Sequence, residues 1–356
     1  MTWTGDSRAL CRANLWLRTA SRVVVRAAKF RARTFYELER HARRIPWEQF
    51  VQPGGAVRFR VTCRKSRLYH SDAVAQRLAT AIEHRLGAAS AFTARESAGD
   101  EETAEPEREQ LFVVRLAHDE CTVSADSSGE LLHLRGYRQA VVRAPLRETL
   151  AAALLLAAEW RGDTPLVDPL CGAGTIPIEA AMIARRMAPG RNRRFACLDW
   201  PGFARDVWAQ LLAEADAQML PRSPVVVQGS DRDAGAIEAA RANAERAGVT
   251  DDVHFAVRAI SAIEPPVGPG LVAANPPYGV RVGERHEIRN LYAQLGHVVR
   301  RHCPGWRLGI FSPDVKLTSQ IGFPMKTVLS TSNGGIPVLM EVGEVPTTGE
   351  PPRVYF

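Results

Sequence analysis

The sequence predicts an α/β chain built around a doubly wound, mostly parallel sheet, with a smaller α/β module ahead of it. Three apolar runs carry the first part of this reading: Leu166-Val167, Val225-Val226-Val227 and Leu271-Val272-Ala273-Ala274. Each is short and uninterrupted, as expected of a strand buried on both faces. The first two lead into stretches with helical spacing, Ile176 to Ala184 and Ala234 to Ala247. All three end in residues that suit a ligand: Asp168-Pro169 with Gly172-Ala173-Gly174, then Gly229-Ser230-Asp231, then Asn275-Pro276-Pro277-Tyr278.

The elements follow in order. Ser7 to Ala20 reads as a helix, Val23 to Phe30 as a strand, and Thr34 to Ile45 as a helix opened by a capping box of Thr34 and Glu37. A strand over 56–63 and a helix over 71–86 come next, with Gly87 as the helix stop. Residues 88–110 are acidic and small, with almost no large apolar groups, and read as a flexible insertion. Strands over 111–117 and 120–126 precede a turn at Asp126-Ser127-Ser128-Gly129. The predicted domains are therefore 1–132 and 151–356, joined over 133–150 by a connector and a lead-in helix that Pro145 opens. Residues 185–222 lengthen the path from the first helix to the second strand of the sheet. They interleave Arg185, Arg186, Arg191, Arg193 and Arg194 with Phe195, Trp200, Phe203 and Trp208. Such a mixture either binds an unstacked nucleotide or packs the insertion down, and packing is the favoured reading for Trp200 and Trp208. Asn333-Gly334-Gly335 marks a hairpin between two late strands, an antiparallel edge to the sheet.

Charge is unevenly distributed. The chain carries a net +7, yet residues 1–87 alone hold 18 Lys and Arg against 6 Asp and Glu. All the excess positive charge lies in the first quarter, and most of it is Arg, which grips phosphates bidentately. In the strand over 56–63, Val57, Phe59, Val61 and Cys63 alternate with Arg58, Arg60, Thr62 and Arg64. One face should be apolar and the other basic, and Lys65 and Arg67 extend the basic ridge.

The strand ends carry the chemistry. Glycines at 172 and 174 allow close backbone approach to a ligand, and Thr175 begins a helix whose first N–H groups are unpaired. Cys171 lies in the same turn. Asp168 suits an ammonium group, and an acid such as Asp231 after the second strand suits ribose hydroxyls. Asp233 is placed to cap the next helix, which leaves Asp231 for a ligand. Asn275 offers an amide oxygen and Pro276 a backbone carbonyl, two acceptors for the N–H bonds of an amino group on a planar ring. They pull that nitrogen toward tetrahedral geometry and aim its lone pair at an electrophilic methyl. Prolines fix the loop and remove competing donors, and Tyr278 offers a flat face for an unstacked base.

A chain of 356 residues is long enough for two domains with separate cores. The apolar stretch Leu150 to Ala158 falls well short of the ~20 residues of a membrane span. With no signal segment at its start, the chain is expected to be cytoplasmic. The six cysteines form no CxxC pair and the nine histidines no metal-ligand spacing, so reduced thiols and no metal are expected.

The ordered set of motifs resembles the class I S-adenosylmethionine-dependent RNA guanine-N2 methyltransferases that carry a THUMP domain. It is similar, more narrowly, to the L half of the bifunctional 23S rRNA methyltransferase K/L family. The resemblance rests on Asn14 to Arg22, His133-Leu134-Arg135-Gly136-Tyr137-Arg138, Ala144 to Ala153, Asp168 to Glu179, Gly229-Ser230-Asp231 and Asn275 to Gly279. It implies a Rossmann-like catalytic domain, a THUMP-type RNA-binding module, and S-adenosylmethionine held by Asp168, Pro169, Cys171, Gly172, Gly174, Thr175, Ser230, Asp231 and Asn275. It further implies catalysis by Asn275, Pro276, Pro277 and Tyr278, and RNA binding through Arg58, Arg60, Arg64, Lys65 and Arg67. Gly279 to Gly283 is expected to be a loop over the target base. The implied reaction is methylation of guanosine N2 in RNA, with 23S rRNA ahead of tRNA as substrate. Other readings are an adenine-N6 or glutamine-N5 methyltransferase, which share the Asn-Pro-Pro-Tyr chemistry, and a non-catalytic RNA-binding ribosome assembly factor.

Three departures from the family pattern bear on this. Ala259 stands where an acid usually meets the adenine amine, Ala173 stands where serine is common, and the second methyltransferase domain is not in this sequence. The segment Met1 to Asp6 also looks like the interior of a strand and turn, so either the first domain is shortened or the natural start lies upstream.

Overall fold

In the computed structural model, residues 1–87, 92–96, 109–139, 146–277 and 285–347 are described. Most of residues 88–110, Pro145, Tyr278 and the loop Gly279 to Gly283 lie outside them. The part of 88–110 that is described is no flexible insertion, since Phe92–Glu96 form a strand paired with Val57–Val61. The chain divides into two compact units, Met1–Leu132 with Asn192–Glu214, and His133–Arg191 with Ala215–Phe356.

The first unit opens with α1 (Ser7–Trp16), whose N-cap Asp6 accepts from the Ala9 N–H. The helix stops four residues before Ala20, because Leu17 turns extended and the chain runs on to β1 (Val24–Arg31). Here a buried tertiary hydrogen bond matters more than helix propensity: the Asn14 amide donates to Ser127 Oγ at 2.9 Å. After β1 come α2 (Phe35–Ala42), β2 (Val57–Arg64), α3 (Ser71–Leu86), β3 (Phe92–Glu96), β4 (Gln110–Ala117) and β5 (Glu120–Asp126). Thr34 caps α2 as expected, accepting from Glu37 N–H at 3.2 Å, while the Glu37 carboxylate reaches back to the Arg33 N–H at 2.7 Å. Gly87 ends α3 in the left-handed conformation, φ +69°, which glycine adopts without strain. The strands form one sheet in the order β1-β5-β4-β2-β3, parallel between β4, β2 and β3 and antiparallel elsewhere. Val57, Phe59 and Val61 meet Val74, Leu78 and Ile82 of α3 in the core on one side of this sheet.

In the second unit, α4 (Glu148–Ala157), β6 (Leu166–Asp168) and α5 (Thr175–Ala184) come first. Residues 192–214 then belong to the first unit, whereas the sequence reading kept them with the catalytic half. The reason is apolar: Phe195 and Cys197 are buried in a cluster with Val23 and Leu132. Trp200 packs edge-on against Phe50 at 5.0 Å and donates its indole N–H to Gln110 Oε1 at 2.6 Å. Trp208 packs edge-on against Phe195 at 5.3 Å. The aromatics of this segment thus serve packing, as favoured for Trp200 and Trp208.

From α6 (Arg205–Gln218) the chain continues through β7 (Val227–Asp231), α7 (Ala234–Ala247), β8 (Val253–Val257), β9 (Leu271–Ala274), α8 (Arg285–His302), β10 (Arg307–Ser312), α9 (Val315–Thr318), β11 (Lys326–Asn333) and β12 (Ile336–Glu344). The sheet order is β11-β12-β10-β9-β6-β7-β8, with β12 antiparallel to β10 and to β11, and the other pairs parallel. The late hairpin turns at Gly334 and Gly335, both at positive φ, as the Asn-Gly-Gly signal predicts. Side-chain alternation explains the uninterrupted apolar runs. Leu166, Leu271 and Ala273 face a core shared with α4, α5 and α7, whereas Val167, Val272 and Ala274 face one built by α8. Both faces of the central strands are covered, so neither can be polar.

Candidate active site

The site lies where the sheet reverses its winding. From β6 the chain moves outward to β7 and β8, and β9 then pairs with β6 on its other side. The crevice beyond the carboxyl ends of β6 and β9 is where open α/β sheets bind ligands. Val167 pairs with Val272, so Asp168 ends one strand alongside Ala273, and Asn275 follows two residues later.

The glycine turn after β6 is tightly specified. Gly172 and Gly174 hold φ of +51° and +82°, a conformation that a side chain strains. A Cβ at Gly174 would come within 2.9 Å of both Ala240 and Phe255. The Gly174 N–H donates to the Cys171 carbonyl at 2.8 Å, and the Cys171 N–H donates to the Ser230 carbonyl at 3.0 Å, fastening the turn to β7. Thr175 and Ile176 begin α5 with no side-chain cap on Gly174. The next residue is Pro177, which lacks an N–H, so few orphan donors remain there for a ligand.

Two acids define the electrostatics. Asp168 is buried, and its Oδ1 accepts from Leu170 N–H at 3.0 Å. Burial, with Asp231 nearby adding repulsion, raises the Asp168 carboxyl well above its ordinary range despite that hydrogen bond. A cation placed there relieves both costs, which fits the ammonium end of an amino-acid moiety. Asp231 takes Gly172 N–H on one oxygen at 3.1 Å and Asp233 N–H on the other at 3.0 Å. Asp233 caps α7, accepting from Gly235 and Ala236, so Asp231 is left at the mouth of the crevice. Cys171 is buried and its thiol is pushed well up by burial and by Asp168, which disfavours the thiolate. Pro169 and Ser230 are buried, Asn275 is half-buried, Pro276 is buried and Pro277 is exposed. Ala259 is exposed just past β8, and the neighbouring Arg258 N–H donates to the Asp231 carbonyl at 2.8 Å.

One charged network escaped sequence reasoning. Arg135 and the Tyr137 hydroxyl both reach Glu179 Oε1 of α5, at 3.4 and 3.3 Å, and all three side chains are buried. Arg138 pairs with Glu148 of α4 at 3.1 Å. Burial outweighs the guanidinium and raises the Glu148 carboxyl to about 7. The motif His133 to Arg138 was visible in the sequence, but Glu179 lies 44 residues from Arg135 and no periodicity connects them. Among the described residues no group of His, Cys, Asp or Glu is placed to hold a metal, and no helix is long and apolar enough to cross a membrane.

In the first unit the candidate RNA-binding residues separate. Arg58 is buried and 3.8 Å from the Glu109 carboxylate, so β2 does not present a uniformly basic face. Arg60 is half-buried, and Arg64, Lys65 and Arg67 are exposed. Their loop is held rigid by Asp119, which accepts from Arg67 N–H at 2.8 Å and donates its own N–H to Ser66 Oγ at 3.0 Å. Strand register adds cations that the sequence could not: Arg115 lies opposite Thr62 and Thr122, and Lys29 opposite Thr122, all on the face that carries Arg60 and Arg64.

A sheet of this order, with a glycine turn after its central strand, an acid after the next strand and an Asn-Pro-Pro loop across the reversal, defines a class I methyltransferase. The chain belongs to the family described as RMKL-like, methyltransferase domain, whose model matches residues 135–340. A model of the RlmL ferredoxin-like domain matches residues 1–24. The chain is 34% identical to "Putative RNA methyltransferase slr0064" of Synechocystis over 95% of its own length and 86% of that protein. It is 36% identical to the ribosomal RNA large subunit methyltransferase K/L of Syntrophotalea carbinolica over 94% of its own length, and spans only 48% of that longer protein. The solved structure of SMU.472 complexed with SAH superposes with a TM-score of 0.80, at 29% identity over 99% of this chain and 89% of that one.

Proposed function

We propose that this chain transfers the methyl group of S-adenosylmethionine to the exocyclic N2 of guanosine in RNA, with 23S rRNA as the substrate. The observation that carries this reading is the placement of Asn275-Pro276 at the carboxyl end of β9, beside the strand that ends in Asp168. Donor and acceptor sites then meet across one crevice. The RNA methyltransferases among the relatives, and the SAH complex of SMU.472, support the substrate class and the cofactor.

The residues fit that cofactor. Asp168 meets its ammonium, Asp231 its ribose hydroxyls, and the glycine turn from Cys171 to Thr175 lets backbone approach closely. When bound, S-adenosylmethionine supplies a methyl on a positively charged sulfur. The chain's own part is positioning. Asn275 Oδ1 and the Pro276 carbonyl accept the two N–H bonds of the amine and turn its lone pair out of the ring. A dry site lined by dipoles suits a transfer that neutralises charge, and no strong base is needed. Tyr278 is assigned to stack on the guanine. A THUMP-type first unit would hold the RNA through Arg60, Arg64, Lys65 and Arg67.

Mass spectrometry of nucleosides from separated rRNA and tRNA tests this in a deletion strain. Loss of N2-methylguanosine from the 23S fraction, restored by the wild-type gene but not by Asn275→Ala, is the expected result. Loss from tRNA alone reassigns the substrate. No change in either fraction, with the gene expressed, sinks the reading.

A further inference from the structure

The motif His133 to Arg138 lies outside the catalytic loops, yet its backbone is connected to the glycine turn by hydrogen bonds through two side chains of α7. Arg246 Nε donates to the Tyr137 carbonyl at 2.7 Å, and the same guanidinium bonds the Asn243 amide oxygen. Asn243 is fully buried, and its Nδ2 donates to the Ala173 carbonyl at 3.0 Å. Ala173 stands between the two left-handed glycines, 172 and 174.

We infer that Asn243 is a positioning residue for the cofactor site, fixed in one amide orientation by Arg246 and the Tyr137 carbonyl. The chemistry is directional. An Asn amide has two ends that exchange roles if it rotates by half a turn. Because Arg246 can only donate, it holds the oxygen end, and the NH2 end must then face Ala173. The carbonyl it takes belongs to the peptide that joins Ala173 to Gly174. This peptide has a glycine on one side, and its N–H is held by the Cys171 carbonyl at 2.8 Å, so Asn243 supplies the matching hold on its carbonyl end. That orientation sets the start of α5, where the Ile178 N–H donates to the Gly174 carbonyl at 3.0 Å. A second hold acts one turn further on, where Arg135 and the Tyr137 hydroxyl take Glu179. Neither hold touches a ligand. Both preorganise the turn that does, so the ordering cost is met before binding.

The inference rests on the assignment of this crevice to S-adenosylmethionine, and the test separates the two. Asn243→Asp keeps the shape and the acceptor for Arg246 but replaces the donor to Ala173 with a second oxygen. Arg246→Ala, at a largely exposed helix position, keeps Asn243 but frees its amide to rotate. Each variant is titrated calorimetrically with S-adenosylhomocysteine, and amide hydrogen exchange is followed over residues 171–176 without ligand. Asn243→Asp is expected to weaken binding tenfold or more and Arg246→Ala severalfold. The double variant should be no weaker than Asn243→Asp alone, and exchange over 171–176 should rise in each. RNA affinity should stay at the wild-type value, which a general loss of structure would not allow. Folded variants that bind within twofold of wild type, with unchanged exchange, overturn the inference. If Asn243→Asp does not fold, Arg246→Ala decides by the same criterion. If wild type itself fails to bind the ligand, the cofactor assignment falls, and the exchange data alone then decide whether Asn243 holds the turn.

Discussion

The carboxylate of Asp231, at the end of β7, accepts a hydrogen bond at 3.1 Å from the backbone N–H of Gly172 in the turn after β6. One side chain therefore links the two loops that would flank a cofactor. Asp231→Ala removes this tie together with the acceptor proposed for the ribose. It should weaken S-adenosylhomocysteine binding at least tenfold, about 1.4 kcal/mol, the size of one charge-assisted hydrogen bond. Unchanged affinity by calorimetry would remove Asp231 from the site.

Glu148 gives the fold a pH signature. Its carboxyl lies at about 7 instead of the ordinary 4.5, chiefly through burial. Between those values the folded state binds more protons than the unfolded chain, so stability is lost as pH rises through that window. Glu148→Gln should flatten that part of the curve in urea titrations. Asp168 is raised by burial too and bends the curve in the same direction, so the difference between wild type and the variant isolates Glu148. Parallel curves would count against a buried, proton-binding Glu148.

The basic loop after β2 should act through phosphates. Replacing Arg64, Lys65 and Arg67 with alanine should weaken RNA binding uniformly across sequences. It should also lower the salt slope by roughly 0.7–0.9 for each phosphate no longer neutralised. Arg58→Ala should instead lower the melting temperature and leave the slope alone, because Arg58 is buried near Glu109. An unchanged slope in the triple variant would move the RNA surface elsewhere.

Trp200 belongs to packing. Trp200→Ala removes the edge-on stacking against Phe50 and the hydrogen bond to Gln110. It should cost ~2–3 kcal/mol with RNA affinity of the folded protein unchanged. A fall in affinity at full stability would return this segment to a binding role.

Much of this was legible in the sequence where local rules decide. α7 runs over Ala234–Ala247 as read, because Asp233 caps one end and Gly248, in the left-handed conformation, the other. α3 matches its expected 71–86 for similar reasons. β7 was misplaced by two residues at its start. Val226 is 38% exposed, and the strand instead runs through Gly229, where a Cβ would come within 2.7 Å of Phe255. That glycine reads as a turn until the ring above it is known. The positions of Asp168, Asp231 and Asn275 at strand ends were legible because each follows an apolar run, and the sheet order sets those three strands side by side. Asn243 and Glu179 were not, since they sit mid-helix and acquire meaning only from Ala173 and Tyr137. Arg58 misled for the same reason: alternation gives its face but not Glu109.

The excursion of residues 192–214 into the first unit has a consequence for biosynthesis. A ribosome making this chain has delivered the whole of β6 and α5 before Phe195 and Trp200 emerge. The amino-terminal unit therefore cannot complete its core when its first 132 residues leave the exit tunnel, although domains commonly fold in the order they are made. Until those residues are out, Val23 and Leu132 lack Phe195 and Cys197, Phe50 lacks Trp200, and a chaperone has reason to attend an unfinished domain with part of the next one already in hand.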